Sequence, residues 1–358
     1  MKNKINILHI VDKYSYGGVE TIVGALMSRF TSTKVVMSYV FLRNPNNQKI
    51  AEGSNLEVFD FAKYDFVLPL IFLVKYIKKN NINVIHTHHQ KGFFLSLILK
   101  PFFSGIRFIH HEHGDILYKG LIYRCFFRLR KKTFFKVICV SDYVSDILVK
   151  KTNISRNSIA VLGSFVDPQP DAVLEKIFKT KANRKNFAIG FLGRISKVKG
   201  CIFLIRALPY VDLDEYEVVI AGDGPELENI VSEAKKMMVF DHVNFLGRVN
   251  GFKNIAEQFD IIVIPSISEA SPVVLLEAWS FGIPVIISDI PSVQNIVKDR
   301  KNVLMFHSGN SRDLGEKITE LAKNKPLIEL LRKNGLEESK RHTFEEYAKF
   351  LEETYIQK

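Results

Sequence analysis

The stretch from Ile261 to Pro291, IIVIPSISEASPVVLLEAWSFGIPVIISDIP, decides the fold class of this chain. Its first four residues form an apolar run of strand length, residues 272–281 have a helical pattern, and the β-branched run at 285–288 reads as a second strand. Ser271 is a good N-cap, and Pro272 suits the first helical position because its missing N–H would be unbonded anyway. The stretch therefore predicts a βαβ unit, and with it an α/β fold.

Two carboxylates accompany the predicted helix start, which lies at the edge of the sheet where parallel strands bind ligands. A helix N-terminus favours anions, and a nearby carboxylate can accept hydrogen bonds from the hydroxyls of an attached sugar. Glu269 and Glu277 therefore suit a nucleotide sugar. The spacing alone allows equally a solvated loop residue at 269 and a surface position at 277.

Length and composition indicate an ordinary two-domain globular protein. The chain has 358 residues, of which 47% are hydrophobic and 25% charged. Its three cysteines have no paired spacing, which argues against a disulfide framework or a cysteine-based zinc site and predicts a cytoplasmic location. The first apolar run ends at Asp12, too early for a signal peptide, and no run reaches the roughly 18 apolar residues that span a bilayer.

The positive charge is concentrated in the first half of the chain. Residues 1–165 contain 24 Lys and Arg against 10 Asp and Glu, and the remainder contains 26 against 28. Such asymmetry predicts an anionic partner for the first half, either a membrane surface or a phosphorylated substrate. We find no module that recognises nucleic acid, and expect none to bind.

A basic amphipathic segment, KGLIYRCFFRLRKKTFFK at residues 119–136, carries seven basic side chains and no acidic one. On a helix, three apolar residues form one stripe and three basic residues share the opposite face: Ile122, Phe126 and Leu129, and Arg124, Arg128 and Lys131. Such a helix can lie on the anionic inner face of a membrane as a peripheral anchor. A helix that packs on the sheet would show the same stripe.

Three other motifs of the first half are ambiguous. Gly17 and Gly18, at a strand-to-helix turn, can let backbone N–H groups approach a phosphate or can simply permit a tight turn. The histidines in HTHH, residues 86–89, cannot all ligate one metal ion because neighbours on a strand alternate faces, so we expect no metal. His113 follows a strand and can project into a cleft, or can be a hydrogen-bonded loop histidine.

The second half begins after a predicted boundary. Asp167 to Pro170 indicates a linker, which continues as a polar, lysine-rich stretch to residue 186. A strand then leads into Gly193, Arg194 and, five residues further, Lys199. A planar guanidinium fork and an ammonium point charge at one strand end indicate an anion site.

The order and spacing of these motifs resemble the retaining GT-B glycosyltransferases of glycosyltransferase family 4. The resemblance covers nearly the whole chain and rests on six ordered matches: Gly17 and Gly18, His113 in HEHGD, GRxxxxKG at Gly193 to Gly200, GDGP at Gly222 to Pro225, FLGxV at Phe245 to Val249, and the pair Glu269 and Glu277.

The resemblance implies two facing Rossmann-like domains with a cleft between them. It implies an N-terminal acceptor domain at 1–168, a nucleotide-sugar domain at 185–341, and a helix at 342–358 that crosses back to the N-terminal domain. It also implies site roles for these residues: His113 and Glu269 at the reacting centre, Arg194, Lys199 and Gly18 at the donor diphosphate, Glu277 at the ribose, Ser271, Pro272 and Val273 in the donor-sugar loop, and Arg248 and Val249 at the base.

One position departs from the family pattern. After the first glutamate many relatives carry Phe-Gly, whereas here Ser271 and Pro272 occupy the place, and proline cannot donate an N–H to the donor. We interpret this as a change in donor contacts.

Two functions are compatible with the pattern. The first is a metal-independent transferase that moves a sugar from a nucleotide sugar, UDP-linked by expectation, to a lipid-linked or polysaccharide acceptor in cell-surface glycan synthesis. The second is a catalytically silent protein of the same fold that binds a nucleotide sugar or another enzyme.

Overall fold

The protein forms two compact α/β units in a computed structural model that describes residues 4–13, 18–44, 56–61, 66–118, 120–182, 184 and 186–357. The first unit is Met1–Ser164 together with Glu345–Lys358, and the second is Phe165–Phe344. The break between them falls four residues before the boundary expected at 168, and the C-terminal segment belongs to the first unit.

The first unit is built on a parallel sheet of seven strands in the order β3-β2-β1-β4-β5-β6-β7. Its strands are β1 Ile5–Val11, β2 Val35–Phe41, β3 Leu56–Val58, β4 Val84–His88, β5 Arg107–Glu112, β6 Lys136–Cys139 and β7 Ile159–Val161. The order changes direction between β1 and β4, which makes a switch point there.

Helices connect these strands and cover the sheet. They are α1 Gly18–Arg29, α2 Val67–Lys79, α3 His89–Leu99, α4 Asp115–Tyr118, α5 Leu121–Arg130 and α6 Asp142–Thr152. Local chemistry sets their ends: at α6, the Ser141 hydroxyl accepts from the Val144 N–H, and Asn153 ends the helix in the left-handed conformation with φ of 54°.

The second unit has a six-stranded parallel sheet in the order β10-β9-β8-β11-β12-β13, with its switch point between β8 and β11. Its strands are β8 Phe187–Leu192, β9 Tyr216–Ala221, β10 Val243–Gly247, β11 Ile261–Ile264, β12 Val285–Ser288 and β13 Leu304–Phe306. Alternate residues of β11 enter different core clusters, Ile261 and Val263 on one face and Ile262 and Ile264 on the other. Burial on both faces explains why the strand is a continuous apolar run.

The α-helices among the described residues of this unit are α7 Asp171–Ala182, α8 Cys201–Ala207, α9 Leu227–Lys236, α10 Val273–Ser280, α11 Ser311–Ala322 and α12 Lys325–Ser339. The expected linker beyond Pro170 is wrong, because α7 occupies it. The Pro170 carbonyl accepts from the N–H groups of Val173 and Leu174, and Leu174 and Ile177 are buried. Apolar residues three and four apart form a packing face between the lysines.

The last helix, α13 Phe344–Ile356, packs largely with the first unit. Tyr347, Leu351 and Tyr355, spaced four apart, are buried. Arg107 at the start of β5 donates from Nη2 to the Tyr355 carbonyl at 2.7 Å. The helix is therefore an integral layer of the first unit.

Candidate active site

An ion pair joins the loops that follow β8 and β11, the two strands at the switch point of the second sheet. Nζ of Lys199 donates to the two carboxylate oxygens of Glu269, at 2.7 and 2.8 Å. The Glu269 side chain is 7% exposed and that of Lys199 is 33% exposed. Two residues predicted from the sequence thus meet at the ligand-binding edge of a doubly wound sheet.

Two buried serines hold the Glu269 carboxylate in place. The Ser266 hydroxyl donates to Oε1 of Glu269 at 2.7 Å, and the Ser288 hydroxyl donates to the Ser266 carbonyl. A buried carboxylate is costly unless its charge is paired and its oxygens are hydrogen-bonded. Lys199 and Ser266 together meet both requirements.

Arg194 is exposed in the loop that carries Lys199. Within the described part of the chain, no side chain pairs with its guanidinium. This cation is therefore available to an anionic ligand, and its role at the donor diphosphate stays a prediction.

Two glycines let the strand-end loops pack backbone to backbone. At Gly200, where φ is 66°, an added Cβ would lie 1.9 Å from the Pro265 carbonyl oxygen. At Gly222 an added Cβ would lie 1.9 Å from the Gly193 carbonyl oxygen. Side chains at these positions would force the loops apart. Steric exclusion of a Cβ therefore explains why these two motif positions are glycine.

Glu277 lies in α10 with a half-buried side chain. Burial raises the pKa of its carboxyl to about 7. No described residue forms an ion pair or hydrogen bond with the carboxylate. An acceptor without a protein partner suits the paired hydroxyls of a ribose, the role that the family resemblance implies.

The start of α10 differs from the prediction. The helix begins at Val273, and Pro272 with φ −81° and ψ 88° takes the N-cap position that Ser271 was expected to fill. The Ser271 carbonyl accepts from the Val273 N–H at 3.1 Å, which forms a tight turn before the helix. Pro272 lacks an N–H and has a non-helical ψ, so the first helical turn moves one residue along the chain.

Arg248 and Val249 follow β10 directly. Gly247, with φ of 65°, turns the chain, and its carbonyl accepts from the Gly222 N–H at 2.7 Å. Arg248 is exposed, whereas Val249 packs partly against the core. The base-binding role of these two residues stays a prediction, and so do the donor-sugar roles of Ser271, Pro272 and Val273.

In the first unit, His113 is the half-buried end of a hydrogen-bonded row of side chains. Nε2 of His113 lies 3.0 Å from Nδ1 of His88, and Nε2 of His88 lies 3.1 Å from Nδ1 of His9. The Tyr355 hydroxyl is 3.3 Å from Nε2 of His9 and 2.6 Å from Nδ1 of His86. His113 is therefore a hydrogen-bonded histidine that also remains accessible.

Strand register explains how these histidines meet. His9 on β1 is the register partner of His86 on β4, and His88 is the partner of His111 on β5. His86 and His88 are two residues apart and share a face, while Thr87 faces away and contacts Nδ1 of His110 at 3.2 Å. The prediction for residues 86–89 treated β4 alone and missed the contributions of β1 and β5.

Burial keeps this cluster neutral. It lowers the pKa of His9, His110 and His111 to about 3, and it also lowers the pKa of His86, His88 and His113. Neither nitrogen of His111 has a hydrogen-bond partner among the described residues. A neutral imidazole donates from one nitrogen and accepts at the other, so the cluster can bind hydroxyl groups or water.

The histidines also form two triplets whose ligand atoms lie within 4.8 Å of one another: His9, His86 and His88, and His88, His111 and His113. Five of the six ring pairs within these triplets stack, however, with His111 and His113 only 17° from parallel at 4.1 Å. Because imidazole lone pairs lie in the ring plane, stacked rings do not direct them at one point. These rotamers therefore favour hydrogen bonding over a shared ion.

The paired glycines fall partly outside the described residues. Gly17 is not described, and Gly18 begins α1. The diphosphate role predicted for Gly18 accordingly stays a prediction.

Residues 121–130 of the basic segment form α5, and the apolar stripe of this helix faces solvent. The helix packs inward through Tyr123 and Phe127, which are fully buried. Four apolar side chains are exposed instead: Leu121 (73%), Ile122 (70%), Phe126 (45%) and Leu129 (77%). The alternative that this stripe packs on the sheet is therefore wrong. Among the described helices, none is long and apolar enough to cross a membrane.

Family models match almost the whole chain in two consecutive segments. Residues 16–170 match the model described as Glycosyltransferase Family 4, and residues 173–342 match Glycosyl transferases group 1. The chain belongs to glycosyltransferase family 4.

Individual proteins similar to this glycosyltransferase are also named glycosyltransferases. EpsF of Bacillus subtilis (strain 168), which is named a glycosyltransferase, is 27% identical over 79% of each chain. A galactosyltransferase of Escherichia coli, named UDP-Gal:alpha-D-GlcNAc-diphosphoundecaprenol alpha-1,3-galactosyltransferase, is 27% identical over 64% of each chain. The structure of Anabaena Alr3699/HepE in complex with UDP and glucose superimposes with a TM-score of 0.80 at 17% identity, covering 98% of this chain and 99% of that one. The expected GT-B fold is confirmed.

Sequence reasoning missed three contributors to these sites in the glycosyltransferase: Ser266, Ser288 and Tyr355. Ser266 is three residues before Glu269 in a polar loop, a spacing that could have indicated a local hydrogen bond. Ser288 and Tyr355 reach their partners only through tertiary packing, which no local pattern reveals.

Proposed function

We propose that this glycosyltransferase transfers a hexosyl group from a UDP-sugar, with retention of configuration and without a metal ion, to a lipid-linked or oligosaccharide acceptor of a cell-surface glycan. The observation that carries the proposal is the Lys199–Glu269 pair at the switch point of the second sheet, beside an unpaired Arg194 and an unpartnered Glu277.

Lys199 and Arg194 would bind the donor diphosphate. The Lys199 ammonium has three N–H donors and directs two of them at the oxygens of Glu269, which leaves one for a phosphate oxygen. Arg194 adds a planar fork. Because the leaving group is a nucleoside diphosphate, two fixed cations would lower the barrier by stabilising the charge that develops on it. The family resemblance also implies a diphosphate contact for the backbone of Gly18.

The two carboxylates would hold the sugars of the donor. Glu277 would accept hydrogen bonds from the ribose hydroxyls. Glu269 receives three hydrogen bonds from Lys199 and Ser266, and a carboxylate has about four acceptor positions, so one remains for a hydroxyl of the transferred sugar. Ser271, Pro272 and Val273 would line that sugar, and Arg248 and Val249 the base.

Retention would follow from attack on the same face that the diphosphate leaves. The acceptor hydroxyl would form the new bond to the anomeric carbon as the bond to the phosphate oxygen breaks, and that oxygen would take the acceptor proton. His113 would bind a hydroxyl at the reacting sugar. Metal chemistry is unnecessary in this scheme because the protein supplies the positive charge.

The acceptor side of the proposal rests on α5. Its exposed apolar side chains are accompanied by Arg128, Arg130 and Lys132, which are exposed too. A neighbouring helix, α3, contacts it through Phe94 and Phe126, and Ile98 and Phe102 beyond that contact are exposed apolar residues. Apolar and basic groups on one surface suit the cytoplasmic face of an anionic membrane, where a lipid-linked acceptor would be found.

Release of free nucleotide in a screen of nucleotide sugars tests the proposal. We expect release from one UDP-sugar in the presence of a lipid-diphosphate acceptor, and its loss in Lys199→Ala and Glu277→Ala. The matched control is Lys197→Ala, which removes an exposed lysine from the same turn. Full activity of both site variants would refute the assignment.

A further inference from the structure

A continuous hydrogen-bonded row in the first unit connects α13 to His113. It runs from the Tyr355 hydroxyl to Nε2 of His9 (3.3 Å), from Nδ1 of His9 to Nε2 of His88 (3.1 Å), and from Nδ1 of His88 to Nε2 of His113 (3.0 Å). Tyr355, His9 and His88 are fully buried. We call these four residues the histidine row.

The row has only two possible proton arrangements. Burial lowers the pKa values of its three histidines, so each ring is neutral and carries one proton. His9 and His88 use both ring nitrogens within the row, so each donates on one side and accepts on the other. The direction of the hydrogen bond between Tyr355 and His9 therefore determines which nitrogen of His113 carries the proton.

Distances at Tyr355 select one direction. Its single O–H lies between Nδ1 of His86 at 2.6 Å and Nε2 of His9 at 3.3 Å. An O–H donor typically gives about 2.7 Å, whereas an N–H donor gives about 2.9 Å or more. The phenol therefore donates to His86 and accepts from His9. This arrangement puts the His86 proton on Nε2, which is buried without a partner among the described residues, so the two distances are what select the direction.

The remaining protons follow from that choice. His9 carries its proton on Nε2 and accepts at Nδ1 from Nε2–H of His88, which in turn accepts at Nδ1 from Nε2–H of His113. Nδ1 of His113 is then unprotonated. It has no partner among the described residues and, unlike the nitrogens of His111, it is not enclosed.

We propose that Tyr355, His9 and His88 are positioning residues that hold His113 in the Nε2-protonated tautomer, so that Nδ1 accepts a hydrogen bond from a substrate hydroxyl. The proposal rests on the proposed function for the place of His113 at the reacting sugar. It adds that a phenol on the last helix determines whether His113 is an acceptor or a donor.

Nitrogen NMR of protein labelled with 15N-histidine tests the tautomer directly, without any activity. Resonances of His113 are assigned by their loss in His113→Gln. In the wild-type protein we expect a protonated Nε2 and an unprotonated Nδ1. A protonated Nδ1 in the wild-type protein overturns the proposal, and this result requires no variant that folds.

Tyr355→Phe removes the hydroxyl group, and with it both the donor to His86 and the acceptor for His9. Nε2–H of His9 would then be a second buried donor without a partner, beside Nε2–H of His86. Because each such donor costs free energy, the row should reverse and His113 should shift towards the Nδ1-protonated form. Tyr347→Phe is the matched control, since it removes another buried hydroxyl of α13 that is not in the row. An unchanged His113 spectrum in Tyr355→Phe overturns the proposal.

Kinetics separate this proposal from the proposed function. We expect Tyr355→Phe to lower kcat/KM about tenfold, the effect of one substrate hydrogen bond, while the affinity for UDP stays unchanged. If no donor is turned over by the wild-type protein, the proposed function fails although the tautomer result stands. Zn²⁺ is also added to the labelled protein at one equivalent. If the nitrogen signals of neutral His88 and His113 then disappear, the cluster is a metal site and the proposal is wrong.

Discussion

Nζ of Lys199 lies within 2.8 Å of both carboxylate oxygens of Glu269, and this bidentate pair connects the loops of two adjacent strands. The residues are 70 positions apart in the chain. Their meeting results from the strand order, which puts β8 beside β11. The pair is both a structural clamp and, by our proposal, the centre of the donor site.

Removing one partner of this pair should cost more than removing both. Lys199→Ala leaves the buried Glu269 carboxylate without its cation, and we expect a loss of about 2 kcal/mol, less than for a fully buried pair because Lys199 is partly exposed. The double variant Lys199→Met, Glu269→Gln should recover most of that stability but no activity. Urea unfolding and donor turnover measure the two effects. Equal stability of the single and double variants would contradict the clamp.

Binding of UDP should strengthen as the pH rises through neutrality. The pKa of Glu277 is about 7, and a ribose hydroxyl pair prefers the ionised form, so affinity should increase about tenfold from pH 6 to pH 8. Glu277→Gln should lose this dependence, while ionisation of the UDP phosphate affects both proteins equally. Calorimetric titration across this range provides the measurement, and parallel pH profiles of the two proteins would exclude Glu277 as the ribose ligand.

The same carboxyl should make the ligand-free protein less stable at higher pH. A folded pKa of about 7 lies above the usual 4.5, so the stabilising protonated form is lost as the pH rises from about 4.5 to 7. We expect Glu277→Gln to unfold at a higher temperature than the wild-type protein at pH 8 and at a similar temperature at pH 4.5. A uniform difference at both pH values would point to packing instead of ionisation.

Acid should destabilise the first unit through its buried histidines. Burial lowers the pKa of His9, His110 and His111 from 6.5 to about 3, so stability is present above pH 6.5 and is lost below it. Each should cost roughly 2 kcal/mol by pH 5, which together approaches the stability of a typical domain. His111→Phe should reduce the slope of unfolding free energy against pH, and His242→Gln, at an exposed position, should leave it intact.

Anionic liposomes should bind the protein through α5. Replacing Ile122 and Leu129, which are 70% and 77% exposed, with serine should weaken sedimentation with anionic liposomes several-fold. Neutralising Arg128, Arg130 and Lys132 should also weaken binding and reduce its salt dependence. Met238→Ser, at an apolar residue 88% exposed in the second unit, is the control. Unaltered binding of the serine variant would rule out this surface.

Two glycines with nearly the same φ allow the cost of a left-handed backbone to be separated from the cost of a steric clash at Cβ. Gly200 and Gly247 have φ of 66° and 65°, but only at Gly200 would a Cβ collide with another backbone atom. Gly247→Ala should cost about 1 kcal/mol, the price of a left-handed conformation, and Gly200→Ala should cost clearly more and loosen the contact with Pro265. Thermal unfolding ranks the two, and a smaller effect at Gly200 would contradict the close approach.

Local patterns predicted the elements around the donor site well. The strand at 261–264 and the strand at 285–288 are confirmed to the residue, because short β-branched runs between turn residues have few alternatives. The start of α10 was wrong by one residue. Capping preference favoured Ser271, but the ψ of Pro272 decided the boundary.

The histidine row could not be predicted from local patterns. It depends on register between β1, β4 and β5 and on a tyrosine more than 340 residues from His9. Sequence spacing reveals that His86 and His88 share a face, but it does not reveal which strands flank them. Similarly, the buried face of α7 was hidden by its lysines, whose alkyl chains do not prevent a helix from packing.

The position of α13 has a consequence for synthesis of the protein. Residues 345–357 complete the first unit, yet the ribosome makes them after all of the second unit. Strands β1, β4 and β5 therefore emerge with their histidines uncovered on the side that Tyr355 later occupies. The N-terminal unit has to wait, partly assembled, while some 180 residues of another unit are translated and begin to fold.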